Sequence, residues 1–142
     1  MHKEIIFINS PSFPFGEAST NRILTLATGL VKNDVACKVV SVGTFKLTGS
    51  NYKPQRKGIY KGVKFIHFTP FLYTPKFKML RKINTFIGII FSIPYLVVNH
   101  NRNNTLAFIS SQLDLFSILI FKLISIVSGV KYVLLRSEYP NL

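Results

Sequence analysis

Four short runs, Glu4–Asn9 and residues 35–42, 105–110 and 130–135, are almost continuously apolar, and each is too short to be a helix of ordinary length. Runs of this kind suit strands buried on both faces of a parallel sheet, where the alternation of a half-exposed strand is lost. Parallel neighbours need a crossover, usually helical, and helical periodicity fills the gaps. Ser19 or Thr20 can cap a first helix with Ile23, Leu24, Leu26, Ala27, Leu30 and Val31 on one side and Arg22, Thr25 and Lys32 on the other. Residues 78–99 read as a second helix with a kink expected at Pro94. A third opens at Ser111 or Gln112 and runs to Ser128, closed by Gly129. In that helix Asp114, Ser117, Phe121, Ser125 and Ser128 share one narrow stripe, and everything else but Lys122 is apolar. Burial over most of its circumference is the expectation.

Residues 58–68 alternate well enough for a strand or hairpin near a sheet edge, while residues 45–57 and 99–104 are polar and turn-rich. The expected fold class is therefore α/β: a Rossmann-like parallel sheet with helices on both faces. At 142 residues the chain builds one such domain, 1–142, and not two. Ligands bind these sheets at the carboxyl edge, where residues 10–19 and 136–142 are expected to lie together.

Charge narrows the partners. Eighteen Lys and Arg face five Asp and Glu, a net charge of +13, in a chain that is 48% hydrophobic with a mean hydropathy of +0.31. That apolar share excludes a disordered tail. The acids are Glu4, Glu17, Asp34, Asp114 and Glu138; nine bases, interleaved with aromatics, fall between Lys53 and Lys82. Such a tract fits a solvated face, an anionic membrane surface or a single-stranded nucleic acid. Lack of any nucleic-acid-binding motif and the apolar stretch that follows favour the membrane, with Lys76, Lys78, Arg81 and Lys82 as the expected contacts. The start of the chain has too short an apolar run for a signal peptide, and residues 83–98 and 113–130 are too interrupted to be good membrane spans, so a cytoplasmic location is expected. Cys37, the single cysteine, is read as a small packed hydrophobe.

Several words in this order resemble the amino-terminal half of bacterial family 4 glycosyltransferases, which have the two-domain GT-B fold. They are Ile6-Phe7-Ile8-Asn9, the stretch from Gly16 to Arg22, Leu26 to Asn33, Val35 to Gly43, Tyr60 to Phe65, and Arg136-Ser137-Glu138-Tyr139-Pro140. Members usually carry two glycines where this chain has Phe15-Gly16, and many place a histidine where it has Arg136-Ser137-Glu138. The resemblance implies an acceptor-side domain. The nucleotide-sugar and the paired glutamates of the donor site would belong to a carboxyl-terminal domain outside these residues, so no cofactor is expected on this chain and no activity from it alone.

Candidate site residues follow. Gly16 is either a plain turn glycine or a point of close backbone approach to an anion before the first helix. Arg22 either faces a phosphate or is solvated. Glu138 could orient a sugar hydroxyl or act as a base, or pair with Arg136, which joins Gly16 and Arg22 as a substrate-binding candidate. Asp114 serves the first turn of its helix electrostatically. His67 reads as a packed histidine, His100 as part of a polar turn, and no spacing suggests a metal site. The leading function is the amino-terminal half of an enzyme that moves a sugar from a nucleotide-sugar to a membrane-associated glycan or lipid-linked acceptor in cell-surface polysaccharide biosynthesis. It would be peripheral at the inner face of the plasma membrane, with a separately encoded donor domain as a further partner and no nucleic acid. The alternative is a non-catalytic membrane-surface binding module, or a gene remnant, on a Rossmann-like sheet. A small nucleotide-binding protein is disfavoured by the missing G-x-G-x-x-G.

Overall fold

A computed structural model describes residues 3–9, 13–16, 18–45, 53–100, 104–111 and 113–136. The elements are β1 (Glu4–Asn9), α1 (Ala18–Val31), β2 (Ala36–Ser41), β3 (Lys57–Tyr60), β4 (Val63–His67), α2 (Lys78–Asn99), β5 (Thr105–Ser111), α3 (Leu115–Ser128) and β6 (Lys131–Leu135). They form a six-stranded sheet in the order β3-β4-β2-β1-β5-β6, parallel except for β3. The fold is α/β and Rossmann-like, as the alternation of runs and helices requires.

Alternation along the strands divides the core in two. Phe7, Cys37, Val39, Val63 and Phe65 pack with Ile23 and Ala27 of α1 on one face. Ile6, Ile8, Val40 and Phe108 pack with Ile89 and Leu96 of α2 and with Phe121 and Ile124 of α3 on the other. β3 and β4 form the edge hairpin, its two-residue turn made by Lys61 (φ 50) and Gly62 (φ 79). Two positive φ values in a row define a type I′ turn, whose twist matches that of the strands.

Helix boundaries depart from expectation at two starts. Ser19 and Thr20 lie inside the first turn of α1 instead of capping it, both buried. α3 starts at Leu115, three or four residues later than expected, because Asp114 is its N-cap: the carboxylate accepts from Ser117 N at 3.3 Å and from Ser117 Oγ. The C-terminus is as expected, with Gly129 in the left-handed region (φ 67). Among residues 78–99, Pro94 lies inside α2, and His100 closes the helix, donating its N–H to Leu96 O at 3.3 Å and its ring Nδ1–H to Val97 O at 2.7 Å.

The larger correction concerns burial. α3 buries five of its fourteen residues, Ser117, Phe121, Ile124, Ser125 and Ser128, so the serine stripe faces the sheet while Leu115, Phe116, Leu119, Leu123, Ile126 and Val127 face outward. α2 does the same with Asn84, Gly88, Ile89, Ser92 and Leu96. Small residues allow a close approach: a Cβ on Gly88 would stand 3.0 Å from Thr69 Cγ2. Two of the buried serine hydroxyls bond within their own helix, Ser92 to Ile89 O at 2.7 Å and Ser125 to Lys122 O at 2.6 Å, which lowers the cost of burying them. The Ser128 hydroxyl has no partner among the described residues. By length and composition α2 could cross a membrane, contrary to expectation, but this fold lays it along the sheet.

Asn84 anchors the incoming loop to α2. Its amide accepts from Phe71 N and donates to Phe71 O, both at 2.9 Å, as one rung of a strand would. Asn84→Ala removes both bonds and should cost about 1–2 kcal/mol, read as a lower urea midpoint with an unchanged slope; an unaltered midpoint would show the anchor to be dispensable.

Candidate ligand-binding edge

Strand order reverses between β1 and β5, and the switch point between them, at the carboxyl edge, is where sheets of this kind form a ligand crevice. The register places a polar residue at that edge on four adjacent strands. Asn9 pairs with Ser41 on one side and with Ser111 on the other, and Ser41 pairs with His67. Ser41, His67 and Ser111 are all buried. One step earlier the row is Ile8, Val40, Ile66 and Ser110, apolar in β1, β2 and β4 and polar in β5. Two residues back, Phe7, Val39 and Phe65 belong to the α1 side of the core. A period of two therefore sets Ser41, His67 and Ser111 on the α1 side, the side of the helix that carries Ser19 and Thr20. The hydroxyls of Ser19 and Thr20 are buried with no hydrogen-bond partner among the described residues, which leaves unused bonding capacity next to the crevice.

His67 holds the near wall of this edge. Its Nε2 lies 2.8 Å from Phe13 O, and because a carbonyl only accepts, the neutral ring carries its proton on Nε2. Phe45 and Phe65 pack against the ring at centroid distances of 4.8 and 5.8 Å. Burial pushes its pKa down to about 4, the bond to Phe13 O opposing the shift and the Arg56 charge adding to it. It is a packed, neutral histidine that fixes the loop after β1, as read from the sequence. Arg56 is similarly committed, donating from its guanidinium to Thr69 O and Pro70 O, each at 3.0 Å.

The individual candidates fall around this row. Gly16 is exposed two residues before α1, and Arg22 is exposed on the first turns of that helix. Arg136 is exposed immediately after β6, whose last residue Leu135 pairs with Ser111. It thus shares the carboxyl edge but stands two strands from β1. Glu138 lies outside the described residues. Lys76, Lys78, Arg81 and Lys82 are exposed around the start of α2. The basic tract, contiguous in sequence, is divided by the fold: Lys57, Lys61 and Lys64 belong to the edge hairpin. Cys37 is buried among the α1-side residues, and burial together with the Glu4 charge raises its thiol to about 11, which leaves it unreactive. Among the described residues no three His, Cys, Asp or Glu side chains come together to hold a metal. Sequence reading passed over Ser41 and Ser111. The available signal was that successive apolar runs end on a polar residue; their alignment into one row needed the register.

No family model, curated protein or solved structure matches this chain.

The buried His67 sets a pH dependence. Its folded pKa lies below the ordinary 6.5, so the unfolded chain takes up the proton first as pH falls. The stabilisation is complete above about pH 6.5 and is lost progressively towards pH 4, up to about 3 kcal/mol in all. His67→Gln keeps a donor for Phe13 O and does not titrate. Urea unfolding at pH 7, 5.5 and 4.5 should show a steeper loss for the parent chain than for the variant; equal losses would remove His67 as the cause.

Proposed function

We propose that this chain is the acceptor-side half of a glycosyltransferase that transfers a sugar from a nucleotide-sugar to a membrane-associated glycan or lipid-linked acceptor. Cell-surface polysaccharide biosynthesis at the inner face of the plasma membrane is the setting that the resemblance implies. The observation that carries the reading is the alignment of Asn9, Ser41, His67 and Ser111 at the carboxyl ends of four adjacent strands, at the switch point. Short hydroxyl side chains and backbone amides at such an edge suit sugar hydroxyls, which both donate and accept. The start of α1 beside them offers unpaired N–H groups to a phosphate or pyrophosphate that carries the sugar. Gly16 permits close backbone approach, and Arg22 and Arg136 stand at the rim as cations for the same phosphates. Glu138 is the proposed base or hydroxyl-orienting group. Catalysis requires the donor domain, because the reacting groups must be held together in one closed cleft.

A second reading, a non-catalytic membrane-surface module, is favoured by the outward apolar faces of α2 and α3 and leaves the polar row without a ligand. Amide chemical shifts separate the two. Titrating the chain with a short-chain pyrophosphate-linked saccharide should move the amides of Asn9, Gly16, Ser41 and Ser111, and nucleotide-sugars alone should leave them in place. No sugar transfer is expected from the chain by itself. Unmoved amides in a folded chain would favour the second reading, and turnover by the chain alone would overturn its assignment as half of a site.

A further inference from the structure

α2 and α3 pack side by side on the same face of the sheet, and each buries a narrow stripe of mixed small polar and apolar residues while its outer face keeps large apolar side chains. Their inner stripes carry Asn84, Gly88, Ser92, Ser117 and Ser125; their outer faces carry Phe86, Ile90 and Phe91 on α2 and Leu119, Leu123 and Val127 on α3. Val127 is 76% exposed and Leu123 62%, values more usual for lysine than for aliphatic residues. Leaving this many large apolar side chains in water forfeits roughly 1.5–3 kcal/mol apiece, so the face calls for an apolar cover.

Charge decides the cover. Neither helix contains an acidic residue. Lys76, Lys78, Arg81 and Lys82 are exposed at the carboxyl-edge end of α2, Lys122 is exposed on α3, and Lys57 and Lys64 flank a groove shared with Tyr95 nearer the other end of α2. Apolar side chains flanked by cations that have no ion pair among the described residues complement acyl chains beneath anionic headgroups. Asp114, at the start of α3, is the nearby carboxylate and is bonded to Ser117. A second copy would bring one +13 chain against another, with like charges around the contact.

We infer that the outer faces of α2 and α3 together form a docking surface on which the protein lies flat on an anionic lipid bilayer, both helices in the plane of the interface. α2 follows β4 and α3 follows β5, so the end of the slab that carries Lys76–Lys82 lies at the carboxyl edge of the sheet, on the face opposite the polar row. The inference rests on the two helices and stands without the glycosyl-transfer reading: lipid binding and saccharide-induced shifts are separate measurements, and either can fail alone.

The chain has no tryptophan, so single Trp probes report unambiguously. Phe86→Trp on α2 and Leu119→Trp on α3 would be mixed with phosphatidylcholine vesicles containing one-third phosphatidylglycerol and brominated acyl chains. Leu26→Trp, on the exposed side of α1, serves as the control. Circular dichroism matching the parent establishes that each variant is folded. Both α2 and α3 probes should shift to the blue and be quenched most by bromines near the headgroup, while the control stays unquenched. Replacing Lys76, Lys78, Arg81 and Lys82 by Gln should weaken partitioning by up to about a thousandfold at low salt, an effect that 1 M salt reproduces in the parent chain by screening. The inference is overturned if the Leu119→Trp probe remains unquenched on bound vesicles, or if quenching is deepest at the acyl ends for α2 alone, which marks a spanning helix. A defined dimer in lipid-free buffer with both probes already shielded would also overturn it, assigning the face to a second copy.

Discussion

Because β1 pairs in parallel with β2 on one side and with β5 on the other, the chain must leave it in one direction first and return past it later. Right-handed crossovers in opposite directions put α1 on one face and α2 and α3 on the other. Ile6, Phe7 and Ile8 are consequently enclosed from both sides, almost without exposure. The same two-sided pairing creates the switch point between β1 and β5. It also aligns the strand ends, so that Asn9 has Ser41 and Ser111 as lateral partners. A one-residue slip at β1 would exchange the faces of Ile6, Phe7 and Ile8 and break both halves of the core.

Distribution of size across the helices is the second constraint. α1 follows the ordinary rule, with Ile23 and Ala27 inward and Arg22 and Asn21 outward. α2 and α3 bury glycine, serine and asparagine beside Ile89, Leu96, Phe121 and Ile124, with Gly88 and Asn84 against Thr69 and Phe71 of the loop after β4. Close approach at Gly88 leaves little room for a side chain there, and other large apolar side chains of both helices lie outward. The cost of burying the hydroxyls is reduced by bonds to helix carbonyls and, for Ser117, to the Asp114 cap.

How much of this was legible beforehand follows from which interactions are local. The strands were visible because an apolar run bounded by turn residues is a property of a few consecutive positions, and the end of α3 was visible because Gly129 needs no distant partner to adopt φ 67. The start of α3 was misplaced since both Ser111 and Asp114 can cap; strand pairing to Asn9 keeps Ser111 in β5 and leaves the role to Asp114. Ser19 and Thr20 have the composition of caps, but the helix begins before them. The stripe on α3 was read correctly as a stripe, yet its direction was not, because periodicity gives the angle of a face and not which side the sheet occupies. Hydropathy suggested that the wider apolar arc would turn inward. The polar row was invisible for a related reason: each member ends its own run unremarkably, and only the register makes them neighbours.

The charge pattern is intelligible once the direction of these helices is known. In a soluble α/β domain, acids and bases are mixed over the helix exteriors, which carry most of the solubility. Here the exteriors of α2 and α3 carry apolar side chains and cations without a carboxylate, while the Lys38–Glu4 contact at 3.1 Å is the ion pair found among the described residues. A cation without a protein partner contributes little to folding, and an apolar side chain left in water contributes nothing. Both acquire a stabilising role at the boundary between headgroups and acyl chains, where a lysine can reach outward from the same helix that buries its neighbours. The missing acids and the outward hydrophobes are therefore one feature of the chain. Neither is explained by the folded domain in water, and both are explained by a negatively charged apolar interface against α2 and α3.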